Sequence, residues 1–134
     1  MRILMGVVAG IVVAFACVFV VEMVSHSLYP PPAGLDMTNP ADQARLMEAM
    51  PGAAKAMVLA AWFFGALAGA WVANRIAGRS LAGWIVALLV VAAGVATMVM
   101  IPHPPAMWAG GILLPLLAAW IADRMGARRG AVAA

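Results

Sequence analysis

The feature that most constrains this chain is the near absence of charge from four long apolar stretches, residues 3–24, 53–73, 81–101 and 106–122. Each is close to the roughly 20 residues that a helix needs to cross a bilayer. Away from their ends the first three hold at most one ionisable residue apiece, Glu22 and Lys55, and both lie near a terminus. In lipid a lone strand would leave its backbone N–H and C=O groups unpaired, so each span is expected to be helical. Composition excludes the alternatives. Hydrophobic residues make up 66% of the chain and charged residues 10%, too few polar groups to cover a small soluble domain. One cysteine cannot staple a secreted module. The expected fold is an all-α integral membrane protein, a single domain over residues 1–134.

Short connections make neighbouring spans antiparallel, giving an up-down-up-down four-helix bundle. The turns around residues 75–80 and 101–105 are brief, and the only sizeable extramembrane piece is the loop at 25–52. Within it Tyr29-Pro30-Pro31-Pro32 cannot continue a helix. Asn39-Pro40 then reads as N-cap and first helical position of a short amphipathic helix reaching about Met50, stopped by Pro51-Gly52. Ala44, Met47 and Met50 form its apolar side, which suits a helix capping the bundle mouth or lying on the membrane surface.

Basic residues set the threading. With both termini in the cytoplasm, Arg2, Arg75, Arg79, Arg124, Arg128 and Arg129 lie inside, and only Arg45 and Lys55 lie outside. Trp71, Trp84 and Trp120 then form an inner aromatic belt, with Tyr29 and Trp108 at the outer boundary. The net charge of +3 follows from this threading, and no nucleic-acid partner is expected. The first apolar run exceeds the about 7–15 residues of a signal peptide and no small-x-small site follows it, so it is expected to stay as a span.

Two internal matches suggest tandem helical hairpins. Ala70-Trp71-Val72-Ala73-Asn74-Arg75 aligns with Ala119-Trp120-Ile121-Ala122-Asp123-Arg124, and Arg2, Gly6 and His26 align with Arg79, Gly83 and His103. The expected relation is a pseudo-twofold axis along the membrane normal.

Glu22, His26 and Tyr29 are spaced i, i+4, i+7 on one helical face, and the repeat brings His103 to the same depth. This is the densest set of ionisable and hydrogen-bonding groups in the chain. A Glu–His pair can relay protons or grip a cationic solute. The same residues can equally be ordinary headgroup-level side chains, with Glu22 reaching water near the edge of the hydrocarbon. Two histidines and one carboxylate fall short of a metal set, so neither a metal nor a cofactor is expected. Gly6, Gly10, Ala14 and Cys17 form a small-residue stripe on a different side of the first span. Ala61, Gly65 and Gly69 form a second on the next span, and Gly83 and Ala87 a third. Such stripes let helices approach closely, within one chain or between chains. Gly110-Gly111 and Pro115 could interrupt the fourth span or merely kink it.

The segment Glu22-x-x-x-His26-x-x-Tyr29-Pro30-Pro31-Pro32, with Gly34-Leu35-Asp36 after it and Ile101-Pro102-His103-Pro104 later, resembles a group of small bacterial four-span membrane proteins. Its specific part is the His-x-x-Tyr-Pro-Pro-Pro motif. The resemblance implies a bacterial inner membrane and the threading above. That group has no assigned activity, so it transfers no catalytic residue.

No phosphate loop, nucleophile elbow or paired-cysteine motif is present. The leading expectation is therefore a non-enzymatic membrane protein in contact with lipid that self-assembles or serves as a subunit of a larger membrane complex. The alternative is a small permease or channel for protons, cations or a small solute, using the outer Glu/His cluster. A membrane enzyme acting on a lipid or quinone is a more distant third.

Overall fold

A computed structural model describes the backbone of residues 1–132 and the side chains through Gly126; Arg128 and Arg129, placed above on the inner side, lie outside the described side chains. Five helices follow one another: α1 (Arg2–Leu28), α2 (Pro40–Ala49), α3 (Gly52–Ala77), α4 (Ser80–Met100) and α5 (Pro105–Val132). The four long ones are apolar enough to cross a membrane. Of these, α1, α3 and α5 overrun the expected spans, whereas α4 matches its own to within a residue. With 27 residues α1 is about 40 Å long, against a hydrocarbon thickness near 30 Å. It ends where Tyr29 N–H donates to the Ser25 carbonyl and the three prolines begin.

At the other end of the bundle, α3 closes on Gly78, whose φ of 69° is the left-handed C-cap conformation that glycine adopts without a Cβ penalty. Asn74 then crosses to the next helix, where its Oδ1 accepts the Gly83 N–H at 2.7 Å. Asn74 thus acts on both sides of the turn, its carbonyl accepting the Gly78 N–H at 2.9 Å and its side chain holding the start of α4.

The arrangement around α3 is the main departure from a symmetric pair of hairpins. α3 packs against α1, α4 and α5, and α4 also touches α1 and α5. Among the described residues no Cα of α1 lies within 8 Å of one in α5. The cross-section is a rhomb with α3 and α4 on its short diagonal. A twofold that maps α3 and α4 onto α5 and α1 would require the last two to touch as well, so the neighbour pattern does not follow the axis expected from the repeat.

The core is built from small side chains. Ala61, Ala66, Ala70, Ala73, Ala82 and Ala118 are fully buried, with Val86 among the largest side chains enclosed. Of the five glycines in the small-residue stripes, Gly6, Gly10, Gly65 and Gly69 lie on the α1–α3 seam, and Gly83 packs α4 against α3. A Cβ on Gly6 would stand 2.7 Å from the Ala73 carbonyl oxygen, and one on Gly65 would stand 2.6 Å from Val18 Cγ2. Gly10 and Gly69 face each other directly. The first small-residue stripe is consumed within the chain as far as Ala14, while Cys17 is only partly covered. In α5 the helix runs unbroken through Gly110-Gly111 and a fully buried Pro115, leaving no unwound backbone there.

Candidate functional site

The end of the bundle that carries α2 holds a cavity of about 610 Å³. Its polar wall comes from α1, which contributes Glu22, Ser25 and His26, followed by Tyr29. Thr97 at the end of α4 and His103 in the α4–α5 turn supply the opposite polar groups. The rest is apolar and includes Pro30, Pro31 and Pro32, Met37, the Leu46 and Met47 side chains of α2, Met50 just after it, and Val58, Trp62 and Met107. The structure therefore brings Glu22, His26, Tyr29 and His103 to one half-open cavity, with His26 at its exposed rim. It does not bring the four packing glycines there, since they hold α1 to α3 deeper in the bundle.

The expected Glu–His side-chain pair takes a different form. His26 Nδ1 lies 2.8 Å from the backbone carbonyl of Glu22, one helical turn back, and not from its carboxylate. A carbonyl oxygen can only accept, so Nδ1 carries the proton and Nε2 is left with its lone pair. His103 repeats this chemistry, its Nδ1–H donating to the Ile101 carbonyl. In the neutral form both imidazoles are thus the same tautomer, each offering Nε2 as an acceptor. The Glu22 carboxylate is half-buried and makes no hydrogen bond or ion pair among the described residues. Taken with the Tyr29 hydroxyl, the site is rich in acceptors and holds no lysine or arginine. Among the described residues no three His, Cys, Asp or Glu side chains gather as a metal-binding group.

Two tightly determined features shape the enclosure. Trp62 is buried, with its ring against Gly94 of α4 and Gly111 of α5, which lie where a Cβ would come within 3.2 Å and 2.6 Å of it. The ring both lines the cavity and belongs to the alanine-rich core. The roof is α2, whose Met47 is buried although no Cα of α2 lies within 8 Å of another helix among the described residues. Apart from the chain itself, which passes through Met50-Pro51 into α3, side chains hold α2 to the bundle.

The approach to α2 is ordered by its own hydrogen bonds. Asp36 Oδ1 accepts from the Thr38 hydroxyl at 2.7 Å and from the Thr38 N–H at 2.9 Å, which holds the Asp36 carboxyl below its ordinary pKa of 3.8. Asn39 caps the helix by accepting the Ala41 N–H, and Gln43 Nε2 donates to the Met37 carbonyl at 2.7 Å. Asp42 accepts from the Asp36 N–H and pairs with Arg45 at 3.3 Å on the surface.

Trp62 was missed as a site residue. Its signal lay in depth: it precedes Trp71, expected at the inner boundary, by nine residues, about 13 Å of helix, and so fits neither of the expected aromatic belts. The methionines of α2 read only as the apolar side of a cap, and nothing in their spacing shows that they roof a cavity.

Comparisons with protein-family models, with curated proteins and with solved structures gave no match to this chain.

Proposed function

We propose that this chain is a non-enzymatic membrane protein that binds a small amphiphilic molecule in the cavity beneath α2. In this reading the α2 end faces outward from a bacterial plasma membrane and both termini are cytoplasmic, as the distribution of arginines favours. The observation that carries the reading is the gathering of Glu22, His26, Tyr29 and His103 on one otherwise apolar cavity of about 610 Å³. Small-molecule sites commonly combine that size and apolar lining with a few convergent polar groups.

The chemistry of the wall selects the ligand class. A carboxylate, two Nε2 lone pairs and a phenol complement a cationic or donor-bearing head. Trp62 and Tyr29 add ring faces that attract cations. Proline, leucine and methionine side chains receive an apolar body, and methionine adapts to its shape. Within the cavity no side chain is hydrogen-bonded to another in the manner of a nucleophile and its base, which favours binding over catalysis.

A role as an accessory subunit or self-assembling protein is compatible with this site. Its support is the α1 face formed by Leu4, Val8, Val12, Phe15 and Phe19, which no other element covers among the described residues. The permease reading draws on the unpaired Glu22 carboxylate; the closed Ala/Gly core below Trp62 weighs against a path through one bundle.

Equilibrium binding of dodecyltrimethylammonium, dodecyl sulfate and a neutral dodecyl glycoside to the full chain in nanodiscs tests the proposal. The cationic amphiphile is expected to bind tightest and to weaken about tenfold with Glu22→Gln, the loss of about 1.4 kcal/mol. Equal affinity for all three, or no effect of the substitution, would overturn it. Proton flux into proteoliposomes that Glu22→Gln abolishes would instead favour the permease.

A further inference from the structure

The opposite end of the bundle holds a second cavity, about 370 Å³, at the turn between α3 and α4. Trp71, Asn74 and Arg75 of α3, Arg79 and Ser80 at the start of α4, and Asp123 of α5 line it. We propose that it is a binding site for a phosphate-bearing group. Nothing in this inference depends on the amphiphile site at the other end.

Donors outnumber acceptors around this cavity. Neither Arg75 nor Arg79 forms a salt bridge among the described residues. The Arg75 guanidinium lies 5.3 Å from the centroid of the Trp71 ring, a stacking that orders the fork and leaves its edge N–H groups available. Asn74 has committed Oδ1 to the Gly83 N–H, so its Nδ2–H2 group is what remains, and no acceptor for it occurs among the described residues. Ser80 adds a hydroxyl and stands at the start of α4, where the N-cap residue Arg79 makes no side-chain capping bond. The single carboxylate is Asp123. Two arginines and one aspartate leave one net positive charge, which matches a phosphodiester monoanion. Arginine forks fit phosphate oxygens two at a time. Asp123 is then the acceptor for a hydroxyl or ammonium carried by the same molecule. Trp71 places the cavity at headgroup depth, where basic pockets between helices take anionic lipids.

The phosphate could belong to a lipid headgroup or be free in solution, and the two sources separate by experiment. Native mass spectrometry of the full chain in detergent would use dioleoyl phosphatidylglycerol, dioleoylglycerol and inorganic phosphate as probes. Retention of phosphatidylglycerol, with dioleoylglycerol washed away and inorganic phosphate failing to displace it, would assign a lipid headgroup. Binding of inorganic phosphate alone, or its displacement of the lipid, would assign the free anion. Either result should weaken about tenfold in Arg75→Gln with Arg79→Gln and persist in Arg124→Gln, whose guanidinium stacks on Trp120 outside the cavity. Ser80→Asp guards against misfolding as the cause: an acidic residue favours the start of a helix but repels phosphate. It should retain thermal stability and lose the ligand. Absence of both probes from the wild type, equal loss in Arg124→Gln, or undiminished binding in Ser80→Asp would overturn the proposal.

Discussion

Gly10 and Gly69 meet backbone to backbone: a Cβ on Gly10 would stand 2.6 Å from the Gly69 carbonyl oxygen, and one on Gly69 2.5 Å from that of Gly10. The obstacle on each side is main chain, which cannot rotate away. Gly10→Val or Gly69→Val is therefore expected to force α1 off α3 and to destabilise the bundle by about 1–3 kcal/mol or more. Denaturation in mixed micelles measures this. Gly52→Ala, where nothing lies within 4 Å, is the control and should change little by packing.

Trp62 and Gly111 form a coupled pair of another kind. Gly111→Ala places a Cβ 2.6 Å from Trp62 Cζ3 and should cost about 1–3 kcal/mol in the wild type. In a Trp62→Leu background the same alanine should cost less, with a coupling of about 0.5–3 kcal/mol in a double-mutant cycle. Strict additivity would mean that the ring is not what Gly111 accommodates.

Removing the cap of α2 should loosen the roof without touching the bundle. Asn39→Ala loses the acceptor for the Ala41 N–H and is expected to cost α2 about 0.5–2 kcal/mol. Hydrogen exchange over residues 41–49 should accelerate while that of α3 stays unchanged.

The turn before α2 should respond to acid. Because the Thr38 hydroxyl and N–H hold the Asp36 carboxyl below 3.8, its contribution to loop order is present above that pH and is lost as pH falls through the lowered value. Thr38→Val removes the larger cause, so the Asp36 titration observed by carboxyl NMR should move upward. An unmoved titration would show that the hydroxyl does not act on Asp36.

Gly78→Ala puts a side chain at φ 69° with no neighbour within 4 Å, so its penalty is conformational alone. A loss of about 1–2 kcal/mol in unfolding stability is expected.

Much of this architecture was legible because its causes are local. The Asn39-Pro40 start and the Pro51-Gly52 stop each act within a few residues, and α2 lies between them. Span positions follow from the energetic exclusion of charge from lipid. The position of α3 on the short diagonal was not legible, because it depends on which of several equally small faces meet. The Gly10–Gly69 and Gly6–Ala73 contacts select among stripes that look alike in one dimension. Spacing places Glu22 and His26 on one face, and they line one cavity with His103, but it does not show that His26 binds the Glu22 backbone. That choice is set by side-chain rotation, which helical periodicity leaves open.

The separation of α1 from α5 has a consequence for biogenesis. By the time synthesis passes Gly78, both halves of the glycine seam already exist, and the first hairpin can close while the remainder is still leaving the ribosome. The last helix then arrives at a side of α3 that α1 never occupied. Insertion can proceed as stepwise addition to a growing edge, and no earlier contact has to be undone to admit it.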